Sequence, residues 1–415
     1  MLRPISFNFI RRYSRLNNFE LEYFCSSQNI NEIEQNIAQR KGVGNIKRVC
    51  ELYDQYKSVN KEEKTTIENE LISEILKIPN RTHPEVMKNS IDGNSTIVKL
   101  IGEKKVFNNK PLEFQEIAKR MNLVRTDQLG NYSGSKSYYL LGAMASLERA
   151  LVQYAMKTLM ANNFELISVP DLIPRELVEK CGLLTSGVRN QVFVLDEKLH
   201  QNNICLSGTS EMSLAGLYMN HIFEEAELPI KLAAVSRCYR SETSNLAEER
   251  GLYRVHEFTK VEMFLIVTPE QSDSMLEYIR NIQEDHFSLL DLHMQVLDMP
   301  PDELGAPAYR KYDIEAWLPG REYYGEISSC SNCTDYQSRR LGIQYRNKNG
   351  ELKFVHTLNG TASAIPRLLI ALIETGQKEK GVVELPKVLH KYMHGQEIIK
   401  KQTKIPTLKL IKSKQ

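Results

Sequence analysis

The densest group of residues that could do chemistry lies between Arg240 and Glu262. In an extended strand alternate side chains point to the same side, so Arg240 and Glu242 would share one face, opposite Ser241. Beyond a polar turn at residues 250–251, a second strand would add further side chains on one face, namely Arg254, His256, Phe258, Lys260 and Glu262. Cations, an aromatic ring and a carboxylate in one cleft suit a polyphosphate, a purine and an ammonium group. A half-exposed hairpin with a merely solvated charged face fits the pattern equally well.

Two shorter segments carry side-chain oxygens at spacings that could serve a ligand. Thr209 and Glu211 would share a face if their segment were extended, although the sequence Thr-Ser-Glu is by itself more typical of a helix cap. In the second segment Glu326 precedes Ser329 by three residues, and hard oxygen ligands of this kind suit Mg²⁺ that is shared with phosphates. A turn residue and a buried hydrogen bond would explain the second segment equally well.

A charged residue also stands at the edge of an apolar segment near residue 366. Pro366 fits the first turn of a helix, and the residues that follow Arg367 are almost all apolar, so the helix should be buried. A buried arginine is costly without an anionic partner. A phosphate explains Arg367 better than chance packing does.

The elements that must position these residues alternate between helical and strand patterns without a βαβ rhythm. The periodicity predicts helices over residues 143–162 and 366–374, and strands over residues 164–169, 232–240, 253–267 and 353–356. Neither a Rossmann fingerprint nor a P-loop occurs in the sequence. The predicted fold class is α+β, an antiparallel sheet flanked by helices.

The N-terminal part reads as a separate, smaller helical domain. Apolar residues at helical spacing over residues 29–78 predict a short helix followed by a helical hairpin at residues 45–78. Residues 79–100 contain Pro79, Pro84 and Gly93 and are interpreted as a linker that holds the domain boundary.

The two ends of the chain are basic, whereas the whole chain of 415 residues has a net charge of only +2. Residues 1–16 carry arginines between apolar residues and no acidic residue, which is typical of a mitochondrial presequence, here assigned to residues 1–20. A basic arm that contacts RNA is the alternative. From Lys400 onward the tail has lysines and no acidic residue, which fits low-specificity phosphate contact or a disordered tail equally well.

Two classes of protein are disfavoured by composition. No apolar run approaches the length of a membrane span, so no membrane partner is expected. The seven cysteines are scattered and odd in number, which indicates free thiols in a reducing compartment. Cys330 and Cys333 form a CxxC, but no second Cys or His pair stands near it in sequence, so we interpret it as packing rather than a zinc site.

Taken together and in this order, the segments resemble class II aminoacyl-tRNA synthetases, and specifically the seryl-tRNA synthetase family. The resemblance covers roughly residues 123–393 and rests on four motifs: Tyr239-Arg240-Ser241-Glu242, Gly251-Leu252-Tyr253-Arg254-Val255-His256, Lys260-Val261-Glu262-Met263-Phe264 and Ser331-Asn332-Cys333-Thr334-Asp335-Tyr336-Gln337-Ser338-Arg339-Arg340. These phrases, and the run from Thr361 to Arg367, look like the mitochondrial branch. The resemblance implies a catalytic domain at residues 100–395, a helical tRNA-binding arm at residues 21–90 and a basic tail at residues 396–415.

The resemblance also implies substrates and roles for matching residues. It implies ATP, L-serine and serine tRNA as substrates, Mg²⁺ as cofactor, and catalytic roles for Arg240, Glu242 and Arg367. The implied ATP-binding residues are Arg240, Ser241, Glu242, Arg254, Val255, Phe258, Glu326, Ile327, Ser328, Ser329 and Arg367, with Glu326 and Ser329 as Mg²⁺ ligands. The implied serine-binding residues are Thr209, Ser210, Glu211, Arg240, Glu262 and Thr361.

The assembly and the location are further expectations from the same resemblance. Residues 143–170 resemble the family's dimer-forming motif, so a homodimer, or a heterodimer with a paralogue, is expected in the mitochondrial matrix. The helical hairpin is much shorter than the coiled-coil arm usual in the family. The alternatives are a non-catalytic paralogue that dimerises or binds RNA, and a synthetase for another amino acid such as threonine or proline.

Overall fold

The computed structural model describes residues 16–40, 42, 44–89, 93–126, 136–185, 190–196, 198, 203–242, 251–379 and 381–407. Within them, the N-terminal part is helical: α1 (Leu21–Phe24), α2 (Ile30–Gln39), α3 (Ile46–Ser58), α4 (Lys61–Ile75) and α5 (Pro84–Asn89). Apolar side chains of α1 to α4 form their own cluster, with Val49 and Leu71 fully buried. Helix α3 starts at Asn45, whose side chain accepts a hydrogen bond from the backbone of Arg48. The predicted short helix and hairpin are confirmed.

The centre of the molecule is an eight-stranded sheet in which only β4 and β8 pair in parallel. Its strands, in spatial order, are β1 (Thr96–Ile101), β10 (Met294–Asp298), β11 (Arg310–Leu318), β12 (Tyr323–Asn332), β15 (His356–Ala364), β9 (Glu257–Val267), β8 (Ile230–Tyr239) and β4 (Glu165–Leu166). The predicted α+β class with an antiparallel sheet is confirmed.

Helices cover both faces of this sheet. They are α6 (Phe114–Met121), α7 (Ala143–Ala161), α8 (Arg175–Lys180), α9 (Ser210–Leu217), α10 (Ser272–Ser288), α11 (Tyr336–Leu341) and α12 (Ile365–Gly376). Val261 and Met263 of β9 pack with apolar residues of α7 and α10, whereas Phe264 and Ile266 pack with those of α8, α9 and α11. None of the described helices combines the length and apolar character that a membrane crossing requires.

Short strands complete the fold. They are β2 (Val124–Arg125), β3 (Tyr139–Leu140), β5 (Leu172–Pro174), β6 (Ile204–Leu206), β7 (Ile222–Glu224), β13 (Gln344–Arg346), β14 (Leu352–Phe354), β16 (Gln377–Lys378), β17 (Val382–Glu384) and β18 (Ile398–Ile399). The first twelve residues of the predicted basic tail are partly fixed, since Ile399 is buried in β18 and the side chain of Asn122 donates to the carbonyls of Gln402 and Ile405. Residues 408–415 lie outside the described residues.

Three predicted strand boundaries were wrong. Residues 253–256 form a turn and do not continue β9. Leu252 and Val255 are both buried in the same core cluster, whereas residues three apart in a strand would point to opposite faces. Of the strand predicted at residues 164–169, only Glu165–Leu166 pairs with a neighbouring strand. The strand at residues 353–356 is divided, because Leu352–Phe354 pairs with β13 in a separate sheet and the main-sheet strand begins at His356.

The linker interpretation of residues 79–100 was also wrong in its last part. Thr96–Ile101 pairs antiparallel with β10 and forms the edge of the main sheet. Its residues 97–100 are exposed, so no burial pattern marks it as a strand from the sequence. The presequence assigned to residues 1–20 falls mostly outside the described residues, but Leu16 and Phe19 are buried and Arg339 donates to the carbonyl of Asn18 at 3.0 Å. Its boundary stays a prediction.

Candidate active site

A cavity of about 460 Å³ opens beside the ends of β8 and β9 and over β12 and β15. Its lining includes most residues singled out from the sequence: Thr209, Glu211, Arg240, Glu242, Arg254, Val255, Phe258, Glu262, Glu326, Ile327, Ser328, Ser329, Thr361 and Arg367. These residues come from six separate segments of the chain. The fold therefore brings the predicted motifs together in one place.

Two of the predicted site residues do not line the cavity. Ser210 is fully buried at the start of α9, because the segment is a helix N-terminus and not the extended chain considered from the sequence. Ser241 points away from the cavity, and its hydroxyl donates to the carbonyl of Asn190 at 2.9 Å. Its backbone N–H donates to the carbonyl of Gln191, which lines the cavity. Ser241 thus supports the wall of the cavity from outside.

The spacing of Glu326 and Ser329 works because β12 contains a bulge. In a regular strand residues three apart point to opposite faces. Here Glu315 pairs with Glu326 and Asp313 pairs with Ser329, so Ile327 is an extra residue in β12. Because Asp313 and Glu315 lie two apart on β11, their partners share one face. The bulge thus puts the carboxylate of Glu326 and the hydroxyl of Ser329 on the same side.

Glu326 and Arg367 form an ion pair at this end of the cavity. Nη1 of Arg367 lies 2.8 Å from Oε2 of Glu326, and the guanidinium stands 4.7 Å from the ring centre of Tyr253. Burial by itself opposes ionisation of Glu326, but the cations of Arg367 and Lys311 outweigh it and hold the pKa at about 2. Glu326 is therefore an anion at neutral pH, and Arg367 is a cation whose anionic partner already lies in place.

Arg240, Phe258 and Glu242 lie where β8 and β9 end. Strand β8 stops at Tyr239, and Glu242 has a φ of +36°, so Arg240 and Glu242 do not share the face of a continuous strand as predicted. The guanidinium of Arg240 lies 5.3 Å from the ring centre of Phe258. The carboxylate of Glu242 is buried and lies 3.4 Å from Arg254. An aromatic face beside two arginines can hold a purine next to phosphates.

The other end of the cavity is built around Glu262 and Lys260. Nζ of Lys260 lies 2.7 Å from Oε2 of Glu262 and donates to the hydroxyl of Thr209 at 2.8 Å. The hydroxyl of Thr361 donates to the same oxygen of Glu262 at 3.1 Å. Thr209 also caps α9 by accepting from the backbone of Glu211, so the cap interpretation and the cavity position are both correct.

Glu211 is held beside this group by a chain of hydrogen bonds. Nε2 of Gln337 donates to Oε1 of Glu211 at 2.6 Å, and the hydroxyl of Thr357 donates to Gln337 at 2.7 Å. Burial and then the charge of Glu262 raise the pKa of Glu211, against the opposing effect of Lys260. Two carboxylates therefore share a single nearby ammonium, and a second cation would be stabilised there.

Many residues that line or support the cavity were not assigned to it from the sequence, including four with a charged or amide side chain. Lys260, Lys311 and Asn359 line the cavity, and Gln337 orients Glu211. Lys260 was placed on the correct face of β9 but was not assigned to the site. Its spacing of two residues before Glu262 was the available signal. Gln337 lies in a different segment from Glu211, so no local pattern indicates their contact.

The residues at the Arg367 end fit a magnesium ion. Glu326 offers an ionised carboxylate, and Ser329 offers a hydroxyl on the same face, which are the hard oxygen ligands that Mg²⁺ takes together with phosphates. Among the described residues, Cys330 and Cys333 belong to no group of three or more Cys, His, Asp or Glu side chains that could hold a metal ion.

Comparisons with known proteins agree with this geometry. The family model for the "tRNA synthetase class II core domain (G, H, P, S and T)" matches residues 193–376. The chain is 42% identical to the mitochondrial serine–tRNA ligase of Mus musculus over 83% of its own length, and it spans only 66% of that relative. It is 39% identical to the serine–tRNA ligase of Rubrobacter xylanophilus, covering 92% of this chain and 89% of the bacterial one.

A solved structure extends the likeness to the fold. The cytoplasmic serine–tRNA ligase from Naegleria fowleri, in complex with AMP, superposes with a TM-score of 0.81 at 27% identity, over 92% of this chain and 98% of that one. The sheet, the converging motifs and the bacterial relative matched over nearly its whole length lead to one conclusion. The chain belongs to the seryl-tRNA synthetase family of class II aminoacyl-tRNA synthetases.

Proposed function

We propose that this chain uses ATP to convert L-serine to seryl adenylate and then transfers the seryl group to the 3′ end of a serine tRNA. In the first step an oxygen of the serine carboxylate attacks the α-phosphorus of ATP and pyrophosphate leaves. In the second step a ribose hydroxyl of the tRNA attacks the carbonyl carbon and AMP leaves. One observation carries the proposal: a single cavity joins an end rich in arginine to an end with paired carboxylates and hydroxyls.

The arginine-rich end suits ATP. The purine would stack on Phe258, and the carboxylate of Glu242 would accept from its amino group. Arg254 and Arg367 would bind the outer phosphates, while Arg240 would contact the α-phosphate and the serine carboxylate, where charge is redistributed during attack. Nη1 of Arg367 already binds Oε2 of Glu326 at 2.8 Å, and a guanidinium that binds a carboxylate can also bind a phosphate.

Magnesium would be held by Glu326 and Ser329 together with the phosphates. The ion would neutralise phosphate charge when it is bound. What the chain itself contributes is a carboxylate that stays ionised and a hydroxyl that the bulge at Ile327 turns to the same face. Val255 and Ile327 are buried beside these groups and exclude water from them.

The carboxylate-rich end suits serine. Its ammonium group would lie between Glu211 and Glu262, where negative charge exceeds the positive charge of Lys260. Its hydroxyl would reach Thr361 and Glu262, which already form a hydrogen bond to each other. Alanine lacks the hydroxyl and would leave buried polar groups without a partner, which is why such a pocket can reject it.

The proposed setting is the mitochondrial matrix, with a homodimer as the working unit. The relative from Mus musculus is named as mitochondrial, and the arginine-rich residues 1–15 precede the described part of the chain. For the dimer, Met160 at the end of α7 and Leu166 on β4 are exposed apolar residues on the elements that resemble the dimer motif. The hairpin of α3 and α4 is the proposed tRNA arm, in shortened form.

Serine-dependent exchange of pyrophosphate into ATP tests the activation chemistry. The purified chain lacking its first 15 residues is assayed with serine, threonine and alanine in turn. We expect exchange with serine and at least about 10²-fold less with alanine, since the hydroxyl is bonded by the pocket. A folded chain without exchange for any amino acid would favour a non-catalytic paralogue, and a preference for threonine would favour a different synthetase.

A further inference from the structure

The loop of residues 305–308 forms one wall of the cavity, yet its own side chains have no hydrogen-bonding groups that could fix its position. It consists of Gly305, Ala306, Pro307 and Ala308, and all four line the cavity. It belongs to no helix or strand and leads into β11 at Arg310. None of these side chains can donate or accept a hydrogen bond. Within the loop the backbone of Ala308 donates to the carbonyl of Gly305, and further hydrogen bonds to the wall come from donors elsewhere in the chain.

Two residues of the N-terminal helical part supply these donors. Arg40, which directly follows α2, donates from Nη1 to the carbonyl of Ala308 at 2.8 Å and from Nη2 to that of Gly305. Asn80 donates from its backbone to the carbonyl of Ala306 and from Nδ2 to that of Pro307, both at 2.8 Å. Four consecutive carbonyls of the wall are thus bound by two buried residues that do not themselves line the cavity.

The guanidinium of Arg40 binds several backbone carbonyls at once, and Arg40 and Asn80 together are called the clamp below. Nη1 also donates to the carbonyl of Asn80 at 2.8 Å, which ties the two donor residues together. Within the described residues, the hydrogen bonds that the guanidinium of Arg40 donates all go to backbone carbonyl oxygens. The planar guanidinium presents its donors in a fixed fork, so acceptors placed around it are held at fixed relative positions.

Asn80 connects the same clamp to the Glu211 end of the cavity. Its Nδ2 also lies 2.9 Å from the carbonyl of Cys333, and the thiol of Cys333 accepts from Asn359. Asn359 in turn forms a hydrogen bond with Glu211 that lowers the pKa of its carboxyl. Gly182 also lines the cavity, and a Cβ added to it would lie 2.9 Å from Cδ of Pro307. The wall therefore packs closely against Gly182.

We propose that Arg40 and Asn80 are positioning residues that fix this wall and so shape the serine end of the cavity. The N-terminal helices are then required for serine binding although they contribute no side chain to the pocket. A displacement of these helices would move the wall. A movement of the α3–α4 hairpin would then be transmitted through Arg40 to the Glu211 end of the cavity. The inference rests on the proposed serine activation for its kinetic test, but not for its structural one.

The variants Arg40→Ala, Arg40→Lys and Asn80→Ala test this inference, with Arg339→Ala as a matched control. Arg339 joins the same two parts of the chain, through Asn18 and Glu20, but does not line or contact the wall. We expect Arg40→Ala and Asn80→Ala to raise KM for serine about tenfold and KM for ATP less than about twofold, because a wall that is no longer held in place weakens binding at the serine end and leaves the ATP end unchanged. Arg40→Lys should recover only part of the effect, because lysine offers a point donor instead of a fork.

Amide hydrogen exchange of residues 304–310 provides a readout that needs no activity. We expect faster exchange there in Arg40→Ala and Asn80→Ala, and wild-type exchange in the control. If Arg40→Ala does not fold, Arg40→Lys and Asn80→Ala decide. Unchanged loop exchange in the folded variants, or a serine KM no higher than that of the control, would overturn the inference. If the wild-type chain activates no amino acid, the proposed function fails and the exchange experiment alone decides on the clamp.

Discussion

The two ends of the cavity differ in how their charges are balanced. At the Arg367 end Arg367 is paired with Glu326 and Arg254 with Glu242, and the pKa of Glu326 is held at about 2. At the Glu262 end two carboxylates share Lys260, and the pKa of Glu211 is raised. The first end exchanges one anion for another when a polyphosphate enters, whereas the second end lacks a positive charge until an ammonium group arrives. In the proposed reaction, ATP would therefore bind by an exchange of ionic partners, and serine would bind by neutralising an excess of negative charge.

Loss of Arg367 should have the largest effect. Arg367→Ala removes a phosphate ligand and also leaves the partly buried Glu326 without its partner. We expect kcat for serine-dependent exchange to fall about 10³-fold, as when a preorganised donor to a developing charge is removed. The double variant with Glu326→Gln should regain thermal stability but not activity, which separates the role of Arg367 in catalysis from its role in folding.

Neutralisation of Glu262 should affect serine and spare ATP. Glu262→Gln keeps the shape of the side chain but removes the charge that would face the ammonium group. We expect KM for serine to rise about 10²-fold, since a buried charge-assisted hydrogen bond contributes about 1.5–3 kcal/mol. KM for ATP should change little. Glu257→Gln, on the same strand but paired with Arg237 outside the cavity, is the control. Equal changes in both KM values would contradict the separation of the two ends.

Removal of the Thr361 hydroxyl should lower specificity more than stability. Thr361→Val retains the volume and deletes the donor to Glu262. We expect discrimination between serine and alanine to fall about tenfold, measured as the ratio of their kcat/KM values. Thr259→Val, on the neighbouring strand and outside the cavity, should leave this ratio unchanged. An unchanged ratio in Thr361→Val would remove Thr361 from the serine pocket.

The pH dependence should show the smallest effect, of a few-fold. Glu211 is neutral below its pKa, and because that pKa is raised above 4.5 the loss of its charge begins at a higher pH than for an ordinary carboxyl. KM for serine should therefore rise as the pH is lowered towards 4.5, and Glu211→Gln should remove this rise. For Glu326 the pKa is shifted in the opposite direction, and the expected effect is on folding stability. Its lowered pKa stabilises the fold above pH 4.5, and that contribution is lost as the pH falls towards 2.

The sequence predicted the residues of the cavity better than their arrangement. Residue type and order located most of the charged lining residues, because each motif is local. The two β-bulges beside the cavity could not be predicted. One inserts Ile327 and the other inserts Ala362 opposite β9, and each changes which side chains share a face. Nothing in the local pattern indicates an extra residue, since a bulge is set by pairing with another strand.

The contacts between distant segments were equally hidden. Gln337 reaches Glu211 across 126 positions of the chain, and Arg40 reaches the carbonyl of Ala308 across 268. A charge pattern identifies a candidate residue but not its partner when the fold alone brings the two together. The same limit explains Thr96–Ile101, whose exposed apolar residues gave no sign that they complete the sheet.

The central claim is that both ends act as one site for a single reaction intermediate. Calorimetric titration with a non-hydrolysable sulfamoyl analogue of seryl adenylate tests this most directly. We predict that the wild-type chain binds one analogue per cavity, that the alanyl counterpart binds at least about 10²-fold more weakly, and that Glu262→Gln and Arg240→Lys each weaken the seryl analogue. Undiminished binding to either variant, or equal affinity for the seryl and alanyl analogues, would contradict the account.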